Sequence, residues 1–317
     1  MLKLICTFTL LIIGNHLFSQ NLEKPSIQNE FRLVGDSISF PLTLVNAFPF
    51  ISGEVNGVKG KFMFDTGHEG ALSINNTMVP LSMQQNEGER RVGRGQKYTK
   101  YNNESIKEIK LINGMQFQDL KNIESGNYDF LQHNITPDCI GYIGYEFFKG
   151  YLFKLDYVGR KLTFYKNTPA REASKDFLNN EKLVAVLDFE TRNRPNNPII
   201  KVKVKDVEML AIFDTGSDYG LLGITDKDTE KLKRTKNIIN YGINGKNDSL
   251  FTLNEIQMNS SFTIDIMAIE KFEGNFTPVA KSLGVTEDNF LLIAHRFLAK
   301  YKTVWDYEHK KIYVLAY

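Results

Sequence analysis

Ala211-Ile212-Phe213-Asp214-Thr215-Gly216-Ser217-Asp218-Tyr219-Gly220 is the stretch on which the fold turns. An apolar run enters an acid, a short hydroxyl and a glycine, the order needed when a carboxylate must be held at a tight turn. The same device stands far upstream as Lys61-Phe62-Met63-Phe64-Asp65-Thr66-Gly67-His68-Glu69-Gly70. Average residue usage produces Asp-Thr-Gly in about one chain in 15 of this length. Two unrelated copies, each behind an apolar run, are a poor account of the sequence.

The features around the two copies recur in the same order. Ile38–Val45 and Phe48–Val55 have strand character, Asn56-Gly57 is a hairpin turn, and Val58–Phe64 delivers Asp65. In the second half Pro198–Val204, a turn at Lys205-Asp206 and Val207–Phe213 deliver Asp214. Tyr142–Phe148 is answered by Leu291–Leu298, Tyr151–Tyr157 by Tyr301–Tyr307, and Arg160–Phe164 by Lys310–Val314. Asp65 lies 79 residues before Gly144, and Asp214 lies 80 before Ala294. This register match predicts two similar lobes of short strands, 21–170 and 171–317, with the polar stretch Asn167–Lys182 as connector. Asn86–Tyr101, with Gly88, Gly93 and Gly95, and Asn240–Lys246 are glycine-containing polar hairpins at matching places, either mobile flaps or ordinary surface loops. Ile224–Lys236 reads as a solvated helix or loop, and Asn21–Gly35 as a loose leader.

Composition sets limits on function. With 39 basic and 37 acidic residues interspersed, no nucleic-acid surface is indicated. Lys3, the apolar run Leu4–Ile13 and the segment Gly14–Gln20 have the layout of a secretory signal, residues 1–20, too short for a comfortable membrane span. Export to the periplasm or beyond is therefore expected, with no membrane attachment after removal of the signal. Cys139 is then the single cysteine of the mature chain, read as a small buried hydrophobe, and no internal disulfide is possible. His68, His133, His295 and His309 show no metal-ligand spacing, so neither metal nor cofactor is expected. The aromatic cluster from Tyr142 to Phe153 is expected in the core and at the lobe interface.

Phe-Asp-Thr-Gly twice, each followed some 80 residues later by Ile-Gly-Tyr or Ile-Ala-His, resembles the pepsin and retropepsin superfamily of aspartic proteases. The style is similar to bacterial, exported, retropepsin-like chains with both lobes fused. The resemblance implies an all-β acid-protease fold, two pseudo-symmetric β-barrel-like lobes with a substrate cleft between them. It assigns Asp65 and Asp214 to the catalytic pair. Thr66, Gly67, Thr215, Gly216 and Ser217 become supports of the two acidic loops, and Gly144 and Ala294 the positions where a later strand threads beside each loop. It places Gly93, Gly95, Tyr241 and Gly242 on flaps that touch substrate. A peptide or protein substrate and a monomeric enzyme are expected.

The chemistry is independent of the resemblance. Peptide hydrolysis without metal or nucleophilic side chain needs one group to take a proton from water and another to give one to the carbonyl oxygen. Two carboxyls within hydrogen-bond reach share a proton and provide both roles. The sequence departs from the family pattern at His68, where Ser, Thr or Ala is usual, and at Ala294, where glycine is usual. His68 is expected to be neutral and outward-facing. A non-catalytic peptide-binding protein that keeps the fold stays open as an alternative, as does a processing protease with one natural substrate.

Overall fold

The computed structural model describes residues 27–82, 84–92, 96–218, 220–243, 249–272 and 277–317. The expected signal, Gly93, Gly95 and Tyr219 lie outside these. Strand accounts for 51% of the structure and helix for 14%, and the strands close into two barrel lobes. The two lobes expected from the duplication and the all-β fold implied by the resemblance are both present.

Each lobe builds its acidic turn from the same parts. Phe48–Val55 and Val58–Phe64 form an antiparallel hairpin in register Val55↔Val58 to Phe50↔Met63. Its two turn residues, Asn56 at φ 48° and Gly57 at φ 88°, are both left-handed, which matches the twist of the strands they join. Cys139–Ile143 then inserts parallel to Val58–Phe64, pairing Ile143 with Phe64. In the second lobe Ile199–Val204 and Val207–Phe213 form the hairpin, and Phe290–Ile293 inserts parallel with Ile293 opposite Phe213. Parallel neighbours on these strands demand burial on both faces, and Phe62, Phe64, Ala211 and Phe213 are fully buried.

The lobes join through a third sheet of six strands to which both halves contribute. Ser37–Pro41, Tyr151–Asp156 and Lys161–Lys166 come from the first half; Leu183–Asp188, Lys302–Asp306 and Lys311–Leu315 come from the second. The seam is the antiparallel pair Tyr151–Asp156 with Lys302–Asp306, where Phe153 sits opposite Trp305 with ring centroids 5.3 Å apart. Phe64, Phe147, Phe148, Phe153 and Phe164 pack above it, so the aromatic cluster is core and interface as expected. Cys139 is buried, and burial pushes its thiol up to about 12.

One expectation changes, and one that left two options open is narrowed. The leader is docked rather than loose over its described part: Ile27–Gln28 pairs with Gln116 and Phe117, and Phe31 and Leu33 are buried. Phe31 packs between Phe117 and Phe147, with ring centroids at 4.5 and 4.8 Å, and together with the buried Leu33 it fixes an otherwise polar stretch. The charged segment after Ile224 is a helix, Asp226–Arg234, capped by Thr225, whose hydroxyl accepts from the Asp228 N–H at 3.2 Å. It is solvated on one face only, because Leu232 and Thr229 are buried.

Candidate functional site

The two acidic turns meet at the lobe interface, held there by reciprocal hydrogen bonds. The Thr66 N–H donates to Thr215 Oγ1 and the Thr215 N–H to Thr66 Oγ1, both at 3.0 Å. Thr215 Oγ1 in turn donates to the Phe64 carbonyl at 2.8 Å. Both threonines are fully buried, so each bond is made where water cannot replace it.

Above the threonines the carboxyls of Asp65 and Asp214 face each other, each set against the glycine of the opposite turn. Each has one oxygen fixed by its own turn. Asp65 Oδ1 accepts from the Gly67 N–H at 2.7 Å and the His68 N–H at 3.2 Å, and Asp214 Oδ1 from the Gly216 N–H at 2.8 Å. The backbone amides of Asp65 and Asp214 donate to the carbonyls of Ile143 and Ile293, each at 3.0 Å, so the inserted strand of each lobe fixes its acid. Glycine is needed because each turn backs onto the opposite acid. A Cβ on Gly67 would lie 2.8 Å from Asp214 Oδ2, and one on Gly216 would overlap the Asp65 carboxyl. Ser217, next in the chain, is half-buried.

Burial, then the charge of Asp214, pushes the Asp65 carboxyl well above the usual carboxylate range; burial likewise raises Asp214. Backbone N–H groups oppose the shift at both. A pair so placed keeps one proton between two carboxyls, an acid and a base side by side. Three buried tyrosines surround it. The charge of Asp65 adds to burial in raising Tyr142, and that of Asp214 does the same for Tyr157 and Tyr307.

Gly144 packs tightly against the first acidic loop. A Cβ there would overlap the carbonyl oxygens of His68 and Gly70, and its own N–H donates to the Ala71 carbonyl at 3.2 Å. Ala294 fills the same place in the second lobe, buried, with φ −136° against −124° at Gly144. The second loop therefore lies far enough away to accept a methyl group.

His68 departs from the outward orientation expected of it. Its ring stacks on Tyr142 with centroids 5.7 Å apart, and Nε2 is buried without a hydrogen-bond partner. Burial holds it below the usual imidazole range, so the ring is neutral near pH 7. Turned this way, it contacts Asp65 through its backbone N–H, and its side chain does not enter the carboxyl pair.

The hairpins named as flaps are both present. Gln84–Val92 and Gln96–Leu111 form the first, and Ile238–Ile243 and Ser249–Gln257 the second. Gly93 and Gly95 fall outside the described residues. Tyr241, 56% exposed, and Gly242 lie on an edge strand, available to a ligand and apart from the scaffold of the acid pair.

Asn196 was missed by the sequence reading. Its side-chain amide donates to the Thr66 carbonyl at 2.8 Å, while its own carbonyl accepts from the Tyr307 hydroxyl at 3.1 Å. It clamps the first lobe's turn from the second lobe, and the position 149 residues earlier is Ala47, which cannot reciprocate. The available signal was Pro195-Asn196-Asn197-Pro198, an amide-rich turn just ahead of the strand to Asp214.

No protein-family model matches the chain, and no curated protein does. Among solved structures, the chain is similar to the aspartic proteinase from Irpex lacteus. The TM-score is 0.50 at 11% identity, covering 88% of this chain and 97% of that one. At that identity the likeness shows a shared fold.

Proposed function

We propose that the chain is an exported aspartic-type endopeptidase that hydrolyses extended peptide segments between its lobes, in the manner of the retropepsin-like proteins it resembles. The observation that supports this best is the opposed pair Asp65 and Asp214, each carboxyl fixed by an amide of its own turn and set against the glycine of the other. A water between them gives a proton to the ionised carboxyl as it attacks the scissile carbonyl, and the protonated carboxyl donates to the developing oxyanion. The amine leaves with the proton returned by the pair, and no covalent intermediate forms.

In this reading Asp65 and Asp214 are the catalytic residues. Thr66, Gly67, Thr215, Gly216, Ser217, Gly144 and Ala294 hold their loops, and Tyr241 and Gly242 contact substrate from the second hairpin. The likeness to the Irpex lacteus proteinase supports the same assignment at the level of fold. The apolar run Leu4–Ile13 supports export, and the protein acts as a monomer on a peptide or protein substrate.

The test is cleavage of an unstructured protein and of extracellular extracts from pH 3 to 7, with and without a pepstatin-type inhibitor. Wild type cuts, and Asp65→Asn and Asp214→Asn do not. Equal cleavage by wild type and both variants refutes the reading. Tight peptide binding without turnover favours a non-catalytic binding protein.

A further inference from the structure

A second cluster of ionisable groups lies on the six-stranded sheet, away from the acid pair. Asp306 at the end of Lys302–Asp306, His309 in the following turn and Glu172 on the connector helix Pro169–Ser174 converge, each offering one ligand atom within 4.8 Å of the others. His309 Nδ1 is 2.8 Å from Asp306 Oδ2 and 3.4 Å from Glu172 Oε2. The remaining carboxylate oxygens are engaged behind them. Asp306 Oδ1 accepts from the His309 N–H at 3.1 Å, and Glu172 Oε1 from Lys175 Nζ at 2.8 Å. Outer partners of this kind orient carboxylates that bind metals.

A separate observation points to a missing ligand. Tyr313 is 3% exposed, and its hydroxyl makes no well-formed hydrogen bond beside the Lys175 ammonium. The register pairs Asp306 with Lys311 and Val304 with Tyr313, so Tyr313 and Asp306 share one face of the sheet. The charges of Asp306 and Glu172 both reach that hydroxyl. Glu172 and His309 also line an open cavity of about 420 Å³, which gives a path in and room for water.

The duplication shows that this is an addition to the repeat. The first lobe has the same turn, in which the Gly159 N–H donates to Asp156 Oδ1 at 2.6 Å, but glycine stands where the second lobe has His309. Glu172 belongs to the connector between the lobes.

We infer that Glu172, Asp306 and His309 form a site for a divalent transition-metal ion of the zinc class, with water completing the shell beside Tyr313. One imidazole and two carboxylates suit zinc, which accepts mixed nitrogen and oxygen ligands. The ion fastens the connector helix to the sheet that joins the lobes, and its binding is independent of the peptidase reading.

The experiment is calorimetric titration of the chelator-stripped full chain with ZnCl2, repeated for Glu172→Gln and His309→Asn, with MgCl2 as control. Co2+ absorption reports the ligand field. Wild type takes up one equivalent of Zn2+, Co2+ gives a visible band, and Mg2+ gives no heat. Each variant, with an unchanged circular dichroism spectrum, binds more than about tenfold more weakly, as loss of a ligand requires. Binding of less than one equivalent by wild type overturns the site. So does undiminished binding by either variant, which would place the ion at another histidine. Glu172 lies on a surface helix, so its variant tests the site even if substitution of His309 disturbs the turn.

Discussion

The reciprocal threonines make an asymmetric prediction from a nearly symmetric structure. Thr215→Ala removes the acceptor of the Thr66 N–H and the donor to the Phe64 carbonyl, leaving two buried backbone groups without these partners. Thr66→Ala removes the acceptor of the Thr215 N–H and a longer 3.4 Å contact with the Thr215 hydroxyl, which keeps its bond to the Phe64 carbonyl. At about 1–3 kcal/mol for each buried group left unpaired, Thr215→Ala should cost about 2–6 kcal/mol and Thr66→Ala about 1–3 kcal/mol. The serine variants keep the hydroxyls and should each lose less than about 1.5 kcal/mol. Urea unfolding measures this directly, because Trp305, the sole tryptophan, is fully buried at the lobe seam and reports its opening. At constant slope the midpoint shift gives the free-energy change. A loss for Thr66→Ala equal to or larger than that for Thr215→Ala would refute the reasoning, as would losses below about 0.5 kcal/mol for both.

The remaining predictions concern the acids, the histidine and the threading strand. Asp65→Asn and Asp214→Asn should each lower peptide cleavage by more than about 1,000-fold, read with a fluorogenic substrate library. The raised Asp65 carboxyl favours the fold at acid pH. That contribution declines as pH rises from 3.8 through the folded-state value, so Asp65→Asn should be more stable than wild type at pH 7 and lose that advantage toward pH 4. His68 has the opposite sign. Lowered from 6.5, it withdraws stability as pH falls below 6.5, so between pH 7.5 and 5 wild type should lose more in thermal midpoint than His68→Asn. Gly144→Ala should cost about 1–3 kcal/mol by driving a Cβ into two carbonyl oxygens, whereas Ala294→Gly should cost no more than about 1 kcal/mol in the same denaturation assay.

The fold was legible because its strand pattern is written twice. Asn56-Gly57 sets the first hairpin, and the apolar runs ending at Phe64 and Phe213 can be buried on both faces only within a sheet. Asp65 and Asp214 were visible as a pair for the same reason. What stayed hidden depends on contacts across the chain that have no period. Asn196 reaches Thr66 over 130 residues, and Glu172 meets His309 only after the connector folds back over the shared sheet. His68 was misjudged because a histidine at a turn suggests solvent, whereas Tyr142 provides a ring to cover it. The leader was misread because Phe31 and Leu33 form no repeating pattern.

The shared sheet bears on how such a chain can be divided. Cut at the connector, the first half would present Tyr151–Asp156 as a raw edge, with Phe153 and Leu155 stripped of Trp305 and Thr303. Its acidic turn would also lack the threonine that answers Thr66. The surface able to satisfy both losses is another molecule of the same half, turned about a twofold axis, so the intact chain is in effect a dimer that cannot dissociate.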